Sequence, residues 1–432
     1  MNVRLRSRAL RYAVLLIALI VAGCTSGATA GKGGAGGAGS SSATPTVSPE
    51  DQLIQTAQQQ AAQYDYDGAI GTLQTMSGNK KVDAELQKVQ SAKASAVAWP
   101  DNTTIPHIFY HSLIVDPARA FNSPQATGYS QYMVTLNEFT AQLQQIYDNG
   151  YVLIHPDRIA SPGPDGAMVA NPILLPPGKK PLVLSIDDVS YYEYMEGDGF
   201  PDKLVVASDG RVRNVYTDAA GNSTEGSYDV MPIIDDFVAA HPDFSYRGDK
   251  GTIALTGYNG VLGYRTSVKT YGDNATTKAE QAAAKPVADA IKAAGWRFAS
   301  HSWGHIDMTK SSAGTIKADA QLWDAEVRPI VGDTPYLVYP FGADIAGVEQ
   351  YAASNPKFAF LHDTEAFSYY FPVDASQPYW MQMGPQSVRQ ARINIDGITL
   401  QRALDGKTTV LNQFFDPQST IDPQRPLPVP GP

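Results

Sequence analysis

"KPLVLSIDDVSYYEY", residues 180–194, runs from an almost continuously apolar stretch into two adjacent carboxylates, Asp187 and Asp188. An apolar run without strict alternation reads as a strand covered on both faces, as in a parallel sheet. Two like charges directly after it leave two readings. One is an ordinary turn; the other is a metal site in which one carboxylate binds the cation and its neighbour stays free as a base.

Working outward, strands and helices alternate. Upstream, "TTIPHIFYHSLIV" (103–115) reads as a strand. Thr135 and Glu138 form a T-x-x-E capping box before a helix that places Phe139, Leu143, Ile146 and Tyr147 on one face. Gly150 stops that helix and "YVLI" begins the next strand. Downstream come helix "MPIIDDFVAAH", strand "GTIALTG", helix "VADAIKAAG" and strand "WRFASHS". Helix "TIKADAQLWDAEV", strand "PYLVYPF", helix "GVEQYAASN" and strand "KFAFLHD" follow. This order predicts an α/β fold, a parallel sheet covered by helices and closed or nearly closed into a (β/α) barrel, over residues 103–415. The pattern breaks near 200–229, where Asp209-Gly210 and period-2 flanks predict an inserted β-hairpin.

The ends of the chain differ in character. Residues 1–23 combine Arg4, Arg6, Arg8 and Arg11 with "YAVLLIALIVAG", too short for a comfortable membrane span, and read as a signal segment. "VAGC" resembles the lipobox of bacterial lipoproteins, which implies lipidation of Cys24 and anchoring on the extracytoplasmic face of the cell membrane. Cys24 is the only cysteine, so no intramolecular disulfide is available. Loss of residues 1–23 removes four arginines and no acid, taking the net charge from −10 to −14. That balance argues against a nucleic-acid partner. Residues 24–49 read as a flexible Gly/Ala/Ser linker. Residues 50–98 read as an α-helical hairpin resembling a tetratricopeptide unit, a spacer whose apolar face needs the main domain or a protein partner to cover it. Residues 416–432 read as a disordered Pro-rich tail.

In parallel α/β folds, side chains at the carboxyl ends of the strands share one mouth. Asp187 and Asp188 end one strand, "HSWGH" with His301 and His305 ends another, and "YPFG" (339–342) ends a third. If the segment between the histidines turns helically, both imidazoles face one way. Two histidines and an aspartate are a ligand set that Zn²⁺ uses with a position left for water, and Co²⁺ or Ni²⁺ binds such a set too.

With these residues in view, the chain resembles the polysaccharide deacetylases of carbohydrate esterase family four, the NodB homology domain. Ser185-Ile186-Asp187-Asp188 stands where that family has T-F-D-D, and His301-Ser302-Trp303-Gly304-His305 matches H-[ST]-x-x-H. "FYHSLIVDPARAF" and "EYMEGDGF" resemble a Gram-positive subgroup described as xylanase/chitin deacetylases. The resemblance implies a metal held by Asp188, His301 and His305, Asp187 as general base, and the Phe341 N–H as oxyanion donor. It also implies an N- or O-acetylated polysaccharide as substrate.

Two departures stand out. The third family motif, R-x-P-[YF]-G, appears as Val338-Tyr339-Pro340-Phe341-Gly342 without its arginine, and Arg392 in "ARINI" is the candidate substitute. The L-x-H motif that supplies the general acid has no match, which leaves His362 in "FLHD" or His111 in "FYHS". Tyr339, Pro340 and Asp344 are candidates to line the substrate site. Twenty-three tyrosines fit a glycan groove and fit an ordinary core equally well. The alternative to a deacetylase is a glycan-binding lipoprotein on the same fold without turnover. A glycosidase would set two carboxyl groups about 5–9.5 Å apart across the bond, an arrangement that adjacent aspartates do not suggest.

Overall fold

The computed structural model describes residues 47–431. The signal segment at 1–23, Cys24 and nearly all of the linker at 24–49 lie outside the described residues.

Three helices lead, one more than the expected hairpin: α1 (Pro49–Ala62), α2 (Tyr66–Gln74) and α3 (Lys80–Ser95). Ser48, Asp65 and Asn79 cap them, each side chain accepting a first-turn N–H that has no helical partner. Ala57, Ala69, Leu73 and Val82 are buried between them. The group sits on the main body: Tyr64 donates its hydroxyl to the Asp243 carbonyl at 2.7 Å, and Arg247 pairs with Asp65 at 3.1 Å.

Ten strands form the main sheet: β1 (His107–Tyr110), β2 (Tyr151–Leu153), β3 (Lys180–Asp187), β4 (Thr252–Leu255), β5 (Arg297–Ser300), β6 (Tyr336–Val338), β7 (Tyr369–Phe371), β8 (Met381–Met383), β9 (Val388–Gln390) and β10 (Ile393–Asn394). Their order is β8-β9-β7-β6-β5-β4-β3-β1-β10, with β2 also paired to β3. Every pairing is parallel except β8 with β9. β9 and β10 stand near opposite ends of that order, yet only two residues separate them. So short a link spans only about 10 Å, so the sheet must curl until its ends approach. The result is a mixed α/β fold with a curled, incompletely closed sheet. β3 is central and buried almost throughout, as its apolar run predicts.

Helices α4 (Leu136–Asp148), α5 (Val230–Ala240), α6 (Ala275–Ala293) and α7 (Ala313–Glu326) flank the sheet. α4 starts at the Thr135/Glu138 capping box read from the sequence. The insert near 200–229 is a three-stranded antiparallel sheet of Lys203–Val206, Val212–Thr217 and Ser223–Gly226, one strand more than a hairpin.

Three expectations are corrected. "KFAFLHD" is a helical turn, Pro356–Ala359, running into a π-type turn, Phe360–Thr364, and not a strand. Asn355 accepts from the Lys357 and Phe358 N–H groups and Pro356 occupies the first helical position, both start signals for a helix. The strand in this unit is β7, in "SYYF". The "GVEQYAASN" segment forms no helix, because Tyr351 is drawn into the core by hydrogen bonds to Tyr339 and Asp344. The C-terminal segment is ordered through residue 431. Its Arg425 is buried against Glu138 with two bonds of 2.6 Å, and donates to the carbonyls of Ser130 and Met133. The same Glu138 caps α4, so the tail is locked to the N-terminus of that helix.

Candidate active site

The three strand ends meet because β3, β4, β5 and β6 are successive neighbours: Asp187 lies opposite Ala254, Leu255 opposite Ser300, and Ser300 opposite Leu337. Asp187 finishes β3 and is buried. Asp188 then turns into the left-handed region, φ 61°, with its N–H on the Ala254 carbonyl at 3.1 Å. This reversal sends consecutive carboxylates into the same mouth, where a regular strand would point them to opposite faces.

His301 follows β5 and places its Nδ1 2.9 Å from the Val338 carbonyl. A carbonyl only accepts, so Nδ1 carries the hydrogen and Nε2 keeps a lone pair. The segment to His305 is not helical, contrary to expectation. Ser302 and His305 both have positive φ, 55° and 52°, and Asp319 accepts from the N–H groups of Trp303 and Gly304 at 2.6 and 2.8 Å. The loop therefore folds round a buried carboxylate, and the histidine rings end 4.9 Å apart. Among the described residues nine non-glycine residues have positive φ, and Asp188, Ser302, His305 and Phe341 are four of them. Such backbone costs about 1–3 kcal/mol per residue and concentrates where function demands it.

One ligand atom each from Asp188, His301 and His305 lies within 4.8 Å of the others. His301 Nε2 to Asp188 Oδ1 is 4.0 Å, and His305 Nε2 to Asp188 Oδ2 is 3.9 Å. These gaps are too long for hydrogen bonds. Two atoms held by one cation at about 2.0–2.2 Å each lie within about 4.4 Å of one another, a limit that both Asp188–histidine gaps meet. Burial holds the His301 pKa below its usual value against the pull of Asp187 and Asp188, which keeps it in the neutral, ligating form.

Asp187 stands beside this cluster, with Oδ2 3.8 Å from His301 Nε2. Arg392 donates to Asp187 Oδ1 at 2.6 Å and to Ser185 Oγ at 3.2 Å, from full burial over the Phe109 ring. Burial pushes the Asp187 pKa up, but the Arg392 guanidinium, by its charge and its hydrogen bond, outweighs it and holds the carboxyl at about 2. Arg392, the candidate substitute for the arginine absent from the third motif, thus reaches Asp187 from the segment between β9 and β10.

The remaining candidates divide. Phe341 sits at φ 57° beside His305, its ring 4.4 Å from the imidazole and 71% exposed; its N–H has no hydrogen-bond partner among the described residues. His111, just past β1, has a buried Nδ1 without a partner and lies within electrostatic reach of both Asp187 and Asp396. His362 does not join the cluster. It lies on the π-type turn, bonded to Asp363 at 2.8 Å and packed on Phe358. Tyr339 and Pro340 are buried, and Tyr339 shares its hydroxyl with Tyr351 at 2.7 Å, so neither presents a surface to a polymer. Asp344 borders a cleft of about 320 Å³ beyond Phe341, with Gly342, Val373, Asp374 and Trp380.

One residue near the site, Tyr192, is not marked out by the sequence. Tyr192 donates to Asp188 Oδ1 at 2.6 Å and lies 2.8 Å from Thr256 Oγ1, orienting the Asp188 carboxylate. The signal was a tyrosine four positions after Asp188, hidden among neighbouring tyrosines.

A buried carboxylate beside two histidines and a second carboxylate thus lies at the carboxyl ends of a curled, largely parallel sheet. The model of the polysaccharide deacetylase family matches residues 265–356, a span holding His301, His305 and Phe341 but neither Asp187 nor Arg392. No curated protein matches the sequence. Among solved structures, the Streptococcus pyogenes deacetylase PplD in complex with acetate aligns at 16% identity and a TM-score of 0.36, over 70% of this chain and 94% of that one. The chain is similar to polysaccharide deacetylases over the matched segment, and that match supports a deacetylase-type hydrolase.

Proposed function

We propose that the protein removes acetyl groups from an N- or O-acetylated polysaccharide, with a divalent cation held by Asp188, His301 and His305. The observation that carries this reading is the convergence of those three ligand atoms with Asp187 alongside, its Oδ1 taken by Arg392 and its Oδ2 left open. A cation there supplies Lewis-acid polarisation of water and of the acetyl carbonyl. Zn²⁺ suits the donor set, and Co²⁺ or Ni²⁺ can replace it.

Asp187 accepts the proton of the attacking water at Oδ2. Arg392 is a positioning residue that keeps this carboxylate ionised and fixed. The Phe341 N–H donates to the oxygen on which negative charge develops. His111 gives a proton to the departing amine or alkoxide. One water is consumed, the C–N or C–O bond breaks, and acetate and a free amine or hydroxyl leave.

The chain is further proposed to act at the membrane surface, tethered by lipid on Cys24 through the linker, on an envelope or extracellular glycan. The support for this is the "VAGC" sequence after an apolar, arginine-led segment.

The test is acetate release by the whole chain loaded with Zn²⁺, on N-acetylglucosamine oligomers, peptidoglycan fragments and O-acetylated xylan. Release that disappears in Asp187→Asn supports the reading and ranks the substrates. Metal bound at one equivalent with no release from any acetylated glycan contradicts it and favours glycan binding without turnover.

A further inference from the structure

Arg389, in β9, is 2% exposed, yet its Nε and Nη2 atoms have no hydrogen-bond partner. Its guanidinium is clamped between two rings, 4.6 Å from the Tyr351 centroid and 4.8 Å from that of Trp380. Nη1 reaches Asp344 Oδ1 at 3.3 Å. The clamp and the Asp344 contact fix the plane of the group, and the two orphaned nitrogens form its side-on fork.

A buried arginine kept for packing need not be left this way. Arg425 in the same chain is buried with Nε, Nη1 and Nη2 all bonded, to Glu138 and to the carbonyls of Ser130 and Met133. Arg389 instead lines a cavity of about 30 Å³ together with Gln350, Gln382, Gln386 and Ser387, with no acidic residue among its walls. That is more space than one water needs and far less than a sugar ring fills. Parallel Nε and Nη2 donors match the two oxygens of a carboxylate, and the glutamine amides and the Ser387 hydroxyl add further donors at the rim.

We infer that the Arg389 fork and its glutamine-rimmed cavity bind a carboxylate group. The site lies next to the cleft beyond Phe341, since Asp344 and Trp380, which hold the guanidinium, also wall that cleft. The carboxylate can therefore belong to an acidic sugar of a glycan lying in the cleft, or to a free small acid. The site does not depend on the hydrolase reading, because binding is read without turnover.

The test is calorimetric binding to the whole chain with four probes: glucuronate, glucose, acetate, and an oligosaccharide alternating glucuronate with N-acetylglucosamine. Gln386→Glu places a negative charge at the exposed rim without touching the buried guanidinium, and Arg389→Lys keeps the charge but removes the fork. Glucuronate is expected to bind and glucose not to bind, with affinity falling about tenfold or more in each variant. Tighter binding of the oligosaccharide than of glucuronate, lost in the same variants, assigns the carboxylate to a glycan. Equal binding of acetate and the sugar acids assigns it to a free acid. Equal binding of glucose and glucuronate, or carboxylate binding that Gln386→Glu leaves unchanged, overturns the inference.

Discussion

Arg392→Gln separates the ionisation of Asp187 from everything else in the site. Arg392 and Asp187 meet at 2.6 Å with both side chains at most 4% exposed. Burial is the largest influence on Asp187 and raises its pKa; the Arg392 charge is the largest influence lowering it, and the outcome is about 2. Removing an opposing charge at this range raises a carboxyl by about 1–3 units, and burial then acts with less to oppose it. The variant should titrate at about pH 3–5 or higher. A base must be ionised, so the acid limb of kcat/KM should move up by about 1–3 pH units. The sign for stability follows from linkage. A depressed folded pKa contributes stabilisation that is full above the unfolded value near 3.9 and is lost as pH falls through about 2. Over that window the parent should lose about 2.6 kcal/mol from this group, and the variant should lack that loss. At neutral pH the variant should be less stable by about 3–5 kcal/mol, because a buried carboxylate has lost its partner. Acetate release from pH 3 to 8 and urea unfolding from pH 2 to 7, parent against variant, read both effects. An acid limb that stays in place would refute the pairing as the source of the low pKa.

Other perturbations probe separate parts of the molecule. Tyr192→Phe removes a hydrogen bond to Asp188 without changing a proposed ligand, and metal affinity by equilibrium dialysis should fall about 10–100-fold. His111→Gln should lower kcat by about 10²–10⁴-fold with metal affinity unchanged, whereas His362→Gln should leave both as they are. Arg425→Met leaves Glu138 buried without its partner, and urea unfolding should show a loss of about 3–5 kcal/mol.

The sequence carries the fold where local chemistry and long-range packing agree. β3 reads correctly because its apolar run needs burial on both faces and only a parallel sheet provides it. Asp188, His301 and His305 are legible as a group because they follow strands, and strand ends in such a sheet share one mouth. The way they converge is not legible, since left-handed residues at 188, 302 and 305 do the work expected of a helical turn. Arg392 could be nominated by type but not located, because its approach depends on the curl that sets β10 beside β1. His362 misleads for a local reason: an apolar "KFAFL" suits strand and helix alike, and the Asn355-Pro356 start decides for helix. Tyr339 looks available because it follows a strand, but both faces there are covered. The C-terminal segment looks disordered by composition, and a single arginine reaching a glutamate 287 residues away orders it.

The central claim is that one cation, held by Asp188, His301 and His305, works with Asp187 as base. Its most direct test is a parallel titration of the metal-stripped chain with Zn²⁺, following bound metal and acetate release together in the parent, Asp188→Asn and Asp187→Asn. The account predicts that release in the parent rises with occupancy to one equivalent, that Asp188→Asn loses both binding and release, and that Asp187→Asn keeps the metal but not the release. Acetate release that is undiminished in the metal-stripped chain, or that survives in Asp187→Asn, would contradict it.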